Sequence, residues 1–129
     1  MGARILVVED NAANRELVRY LLASAGHEVL LAIDGAEGVA LARARRPALI
    51  LSDLQMPRLD GYAMLAALRA DPACAAIPVV ALTAFSMPND RDKVQAAGFD
   101  GYLSKPFEPE TFCAEVDAML ERATQGRRG

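Results

Sequence analysis

Apolar positions follow two rhythms along this chain. Five short, nearly continuous apolar runs, "RILVVED" (4–10), "HEVLLAI" (27–33), "ALILSD" (48–53), "IPVVALT" (77–83) and "GYLSKP" (101–106), are bounded by charge or turn residues and predict strands. Between them the spacing turns helical. Over 12–25, Leu17, Val18, Leu21, Leu22 and Ala25 share one face with Arg15, Glu16 and Arg19 around it, and Gly26 is placed to stop the helix. An Ala-rich helix is predicted over 36–45, ended by Pro47, and a third over 60–71 with Asp60 as its N-cap. The fourth, 89–97, is short and polar and ends at Gly98. Pro109 opens the last helix, whose apolar face is Phe112, Val116, Met119 and Leu120.

Five strands each followed by a helix predict an α/β domain with a parallel sheet covered on both faces. The runs are continuous instead of alternating, as strands buried on both faces require. Right-handed crossovers leave few ways to wind such a chain, and five units are too few for an eight-fold barrel. The expectation is an open, doubly wound parallel sheet.

Composition narrows the class. At 129 residues the chain is long enough for a full core, and 53% hydrophobic against 24% charged residues is a globular balance. With 5% aromatics and no Trp, that core must be aliphatic. A net charge of −3 gives no general reason to expect nucleic acid or an anionic membrane as partner. Cys74 and Cys113 lack metal-ligand spacing and read as small hydrophobes in a reducing compartment. With neither a membrane-length run nor a signal-peptide pattern, cytoplasm is the expected location. The domain is expected to span 1–123, with 124–129 as a flexible polar tail.

In open parallel sheets ligands bind outside the carboxyl ends of the strands. Those ends carry Glu9 and Asp10, Asp53, Thr83 and Lys105, and only the second strand delivers no polar group. Taken singly, each acid is most simply a solvated loop charge, Thr83 a cap and Lys105 a surface lysine. Their joint placement is the signal. Two carboxylates about 4 Å apart repel by about 4 kcal/mol at an effective dielectric of 20. Three stay ionised together only if something positive sits among them. Oxygen ligands without His or Cys suit Mg²⁺, with Mn²⁺ as the alternative ion. A lysine and a hydroxyl beyond it suit phosphoryl oxygens. The edge reads as a phosphoryl-transfer centre.

At these residues the chain closely resembles the receiver domains of two-component response regulators. The matching pieces are "VVEDN" (7–11), "LILSDLQMPRLDGY" (49–62), "VVALTAF" (79–85) and "GYLSKPF" (101–107), in the family's order and covering roughly residues 4 to 122. The resemblance implies the flavodoxin-like strand order 2-1-3-4-5 with five helices. It implies that Asp53 accepts a phosphoryl group from a partner phosphohistidine as a carboxylate nucleophile. It implies that Glu9, Asp10 and Asp53, with the Gln55 backbone carbonyl, hold Mg²⁺. Lys105, Thr83 and the Ala84 backbone N–H would hold phosphoryl oxygens, and Tyr102 matches the family's switch aromatic. The Lys105–Pro106 bond matches one the family keeps cis.

The resemblance also implies partners. A histidine kinase or histidine phosphotransfer protein would dock near Asn14, Arg15 and Phe107. A protein target, or a second copy in a phosphorylation-dependent dimer, would meet the face made by helix four, strand five and helix five. The chain would be a switch catalysing only its own phosphorylation and dephosphorylation, standing alone or cut from a larger regulator or hybrid kinase. Gln55 and Phe85 depart from the most familiar members and bear on water access to the phosphate. A phosphohydrolase would want an acid where Gln55 stands, and a flavin module would meet repulsion from Glu9 and Asp10. Gly61 is expected to serve a tight helix entry, and the lone His27 to lie at the surface.

Overall fold

A computed structural model describes residues 2–54, 59–83, 90–105 and 107–128. The elements alternate throughout: β1 Arg4–Val8, α1 Ala12–Ser24, β2 Glu28–Ala32, α2 Gly35–Arg45, β3 Leu49–Asp53, α3 Gly61–Ala70, β4 Val79–Thr83, α4 Asp90–Ala97, β5 Gly101–Ser104 and α5 Pro109–Arg128. The strands form one parallel sheet in the order β2-β1-β3-β4-β5. This is the expected doubly wound, flavodoxin-like arrangement. The backbone of α5 continues as helix to Arg128, beyond residue 123, where the sequence reading closed the domain.

Successive strand residues point to opposite faces of the sheet, and here both faces are covered. On one side Leu6, Val8, Ile50, Val79 and Ala81 pack under α2, α3 and α4 through Val39, Met64, Leu68 and Val94. On the other Ile5, Val7, Leu49, Leu51, Val80 and Leu82 pack under α1 and α5 through Val18, Leu22, Phe112 and Val116. Each such fully buried aliphatic side chain contributes about 1.5–3 kcal/mol. The continuous apolar runs are the mark of this double burial, and the edge strands β2 and β5 are correspondingly less buried.

Helix ends are set locally. Asn11, Asp34 and Asp60 accept hydrogen bonds from the N–H groups of Asn14, Glu37 and Ala63, as N-caps do. Gly26 and Gly98 follow α1 and α4 with φ of 91° and 101°, the left-handed region that favours glycine. Arg46, at φ 44°, ends α2 just before Pro47.

His27 departs from expectation. Its side chain is 6% exposed, not at the surface. Nδ1 accepts the Ala3 N–H at 3.0 Å and Nε2 lies 3.1 Å from Asp117 Oδ1, so the ring ties the chain start and β2 to α5. Phe112 and Val116, five residues and one residue before Asp117, seat α5 on the sheet, and this brings Asp117 within reach.

Candidate functional site

The registers that pair the strands also align their ends. Val8 lies opposite Ser52, Asp53 opposite Leu82 and Thr83 opposite Ser104. Glu9, Asp53, Thr83 and Lys105 therefore reach the same sheet edge, with Asp10 one residue beyond Glu9. The Lys105 N–H donates to the Thr83 carbonyl at 2.8 Å and carries β4–β5 pairing one residue further.

Glu9, Asp10 and Asp53 each offer a carboxylate oxygen, and these oxygens all lie within 4.8 Å of one another. Lys105 Nζ stands between two of them, 3.4 Å from Glu9 Oε2 and 3.4 Å from Asp53 Oδ2. The Glu9 side chain is 1% exposed, whereas Asp53 keeps 17% and Asp10 is exposed. Burial, reinforced by the Asp53 charge, raises the Glu9 carboxyl above the ordinary glutamate range; Lys105 and the Asn11 N–H oppose this in part.

The Asp53 and Glu9 carboxylates are also oriented by backbone. Asp53 Oδ1 accepts the Leu54 N–H at 2.8 Å, leaving Oδ2 toward Lys105. Glu9 Oε1 accepts the Asn11 N–H at 3.3 Å. The Glu9 N–H donates to Ala32 O at 3.0 Å, so β2 supplies backbone support though it brings no polar side chain to the cluster. Behind Asp53, the Gly61 N–H donates to Leu54 O at 2.9 Å, and a Cβ at Gly61 would collide with the Asp53 carbonyl oxygen. Glycine here permits the close approach of α3 to the end of β3, as its expected structural role required.

Chemically the donor set is three carboxylates facing one ammonium group among the described residues. The uncompensated negative charge, the oxygen-only ligands and the distance of His27 from the cluster all fit a hard, oxygen-seeking divalent cation. The anionic charge of the cluster is paired with a lysine whose hydrogen bonds, at 3.4 Å, are long enough to exchange readily for a stronger acceptor.

Thr83 ends β4, 8% exposed. Tyr102 is half-buried on β5, opposite Ala81, and the Arg91 guanidinium from α4 lies 5.1 Å from its ring centroid. Gln55, Ala84, Phe85 and Pro106 lie outside the described residues.

Two side-chain contacts escape sequence reasoning, one at the site and one at the opposite end of the sheet. Arg15 reaches back from α1 to donate Nη1 to Glu9 O at 2.9 Å and Asp10 O at 3.4 Å, fixing the loop that carries both acids. Its place on the helix suggested a polar face, and the resemblance a docking position, but neither pointed to this contact. Asp100 Oδ2 accepts from Val79 N–H and from Arg69 Nη2, both at 2.8 Å, while Arg69 Nη1 also reaches Ile77 O at 2.8 Å. That clamp joins α3 to the starts of β4 and β5, and nothing local in the chain signals it. The free cysteines Cys74 and Cys113 lie apart from the cluster, their thiols pushed up by burial.

Comparison with known proteins agrees with this architecture. The family model for the response regulator receiver domain matches residues 5–117. The polar-differentiation response regulator DivK of Brucella anthropi is 36% identical over 120 residues, which cover 93% of this chain and 98% of DivK. RpaA of Synechocystis, a DNA-binding dual master transcriptional regulator, is 42% identical over 119 residues, 92% of this chain; the match spans 49% of RpaA, about half its length. Among solved structures, the chemotaxis response regulator CheY4 of Vibrio cholerae superposes with a TM-score of 0.85 at 34% identity, covering 92% of this chain and 99% of that one. The receiver domain of a Pseudomonas aeruginosa sensor histidine kinase gives 0.82 at 38% identity, covering 95% and 97%. That receiver was solved with a magnesium ion coordinated in its active site cleft.

Proposed function

The chain belongs to the response regulator receiver domain family, and from that premise we propose that Asp53 is its phospho-acceptor. In this reading an Asp53 carboxylate oxygen attacks the phosphorus of a partner's phosphohistidine. The P–N bond breaks, its electron pair leaves with the imidazole, and an aspartyl phosphate remains. The observation that carries the proposal is the placing of one ammonium group 3.4 Å from both Glu9 and Asp53 within a three-carboxylate cluster.

The residues divide the work. Glu9, Asp10 and Asp53 would hold Mg²⁺, with the Gln55 carbonyl completing the protein's share. The ion supplies charge neutralisation for the acids and the incoming phosphoryl group. Lys105 exchanges its long contacts with Glu9 and Asp53 for a phosphoryl oxygen. Thr83 donates its hydroxyl, and Ala84 its N–H, to the remaining oxygens. Arg15 keeps the loop bearing Glu9 and Asp10 in place and does not enter the reaction. The chain catalyses only the gain and loss of its own phosphoryl group.

Phosphorylation adds about −1.5 to −2 charge at this edge. Thr83 and Lys105 follow it, Tyr102 reorients, and the face made by α4, β5 and α5 changes for a protein target or a second copy of the chain. The donor, a histidine kinase or a histidine phosphotransfer protein, docks beside α1 and Phe107. Phe107 packs on Phe112 with ring centroids 5.1 Å apart, which ties that loop to α5. Among the described residues no helix is long and apolar enough to cross a membrane, and we place the protein in the cytoplasm. We assign 1–123 to the receiver unit, which DivK matches over nearly its full length and RpaA carries within a protein twice as long.

The test is intact mass after incubation with acetyl phosphate or phosphoramidate and Mg²⁺, for the native chain and Asp53→Asn. The expected result is one acid-stable, hydroxylamine-labile phosphoryl adduct, lost with chelator and in the variant. An adduct that persists in Asp53→Asn overturns the assignment.

A further inference from the structure

We propose that Arg91 is a positioning residue for the switch: stacked on Tyr102, it holds that ring and the first turn of α4 in their unphosphorylated arrangement. This rests on the reading that Tyr102 responds to phosphorylation of Asp53. The Arg91 guanidinium carbon lies 5.1 Å from the Tyr102 ring centroid, inside the range over which a cation is attracted to the face of an aromatic ring.

The surroundings give this contact its leverage. Among the described α4 side chains Val94 is the one buried in the core, while Arg91, Asp92, Lys93 and Gln95 are exposed. Val94 holds the middle of the helix and leaves its first turn to other interactions. Tyr102 lies on the same side of the sheet as Val79, Ala81 and Val94. Its neighbour across the ladder is Ala81, and the next residue of β4 facing that side is Thr83. A shift of Thr83 toward the edge therefore alters the surface beneath the Tyr102 ring. For the ring to follow, its contact with Arg91 must break or move with it, so the cation opposes the switch.

An exposed contact of this kind alters a two-state equilibrium roughly two- to five-fold. When the phosphoryl-binding state is a minor population, its apparent affinity for a phosphoryl group rises in proportion to that population. Removing the cation should therefore tighten phosphoryl binding at Asp53, which Arg91 reaches only through Tyr102. Arg91→Lys keeps a cation above the ring and should restore most of the native behaviour.

The experiment titrates beryllofluoride, a phosphoryl mimic on carboxylates, at saturating Mg²⁺, and follows the Tyr102 ring by aromatic NMR in the native chain, Arg91→Ala, Arg91→Lys, Tyr102→Ala and the Arg91→Ala/Tyr102→Ala double variant. Backbone amide signals of β3 report binding in the chains without Tyr102. The expected result is two- to five-fold tighter binding for Arg91→Ala, near-native binding for Arg91→Lys, and no effect of Arg91→Ala once Tyr102 is absent. An Arg91→Ala effect of equal size with and without Tyr102 overturns the inference, as does none in either. If beryllofluoride binds the native chain without moving the Tyr102 ring, the switch reading itself fails. That outcome is separate from a native switch that ignores Arg91.

Discussion

Among the described residues Glu9 is the most deeply buried charged side chain, and removing that charge should stabilise the protein when no cation is present. Its side chain is 1% exposed and shares a cluster of carboxylate oxygens within 4.8 Å with Asp10 and Asp53. At an effective dielectric of 20, unit charges at 4.8 Å repel by about 3.5 kcal/mol, and a pair at 3.4 Å attracts by about 5 kcal/mol. Glu9→Gln removes two such repulsions and one attraction, to Lys105, for a gain of about 2 kcal/mol. Screening at exposed Asp10 trims this to about 1–2 kcal/mol, and relief of the buried charge acts in the same direction. For a domain of this size that raises Tm by about 3–8 °C in chelator.

The pH dependence has a defined sign. The Glu9 carboxyl is raised on folding, so its contribution to stability is fully present below the unfolded-state glutamate pKa and is lost as pH rises through the folded one. In chelator the advantage of Glu9→Gln over the native chain should therefore grow from mildly acidic to neutral pH. Mg²⁺ reverses the ranking, because a ligand at 100 times its Kd stabilises the native chain by about 2.7 kcal/mol and the variant by less. The assay is thermal unfolding across pH, with chelator and with saturating Mg²⁺. A variant less stable than the native chain in chelator, or one that gains equally from Mg²⁺, refutes the reasoning.

Three further substitutions probe the fold that carries the site. Arg69→Met removes the guanidinium that joins Ile77 O to Asp100 Oδ2, a partly exposed pair, and should cost about 1–2 kcal/mol in denaturant unfolding, with an unchanged slope. Gly61→Ala drives a methyl group into the Asp53 carbonyl oxygen; it should cost about 1–3 kcal/mol and also slow adduct formation in the mass assay, because β3 must shift. His27→Ala leaves the Ala3 N–H and Asp117 without their shared partner and should cost about 1–3 kcal/mol, with adduct formation intact, since it lies away from the cluster.

The chain itself determined the alternation of elements, because burial on both sheet faces leaves short continuous apolar runs with β-branched residues in β1, β3 and β4. The cap at Asp60 and the stops at Gly26 and Gly98 were equally legible, being local backbone requirements written in single residues. So was the list of polar groups at the strand ends, since parallel strands joined by crossovers must all end on one edge. Their pairing was not legible. That Lys105 stands between Glu9 and Asp53, that Arg15 fastens the acidic loop and that Arg91 covers Tyr102 depend on register and side-chain reach between residues as many as 96 apart. The same holds for His27, whose polarity predicted the surface but whose two partners, Ala3 and Asp117, lie 24 and 90 residues away. A sequence pattern records which face of its own element a residue occupies; which distant atom completes its hydrogen bonds is decided only when the elements pack.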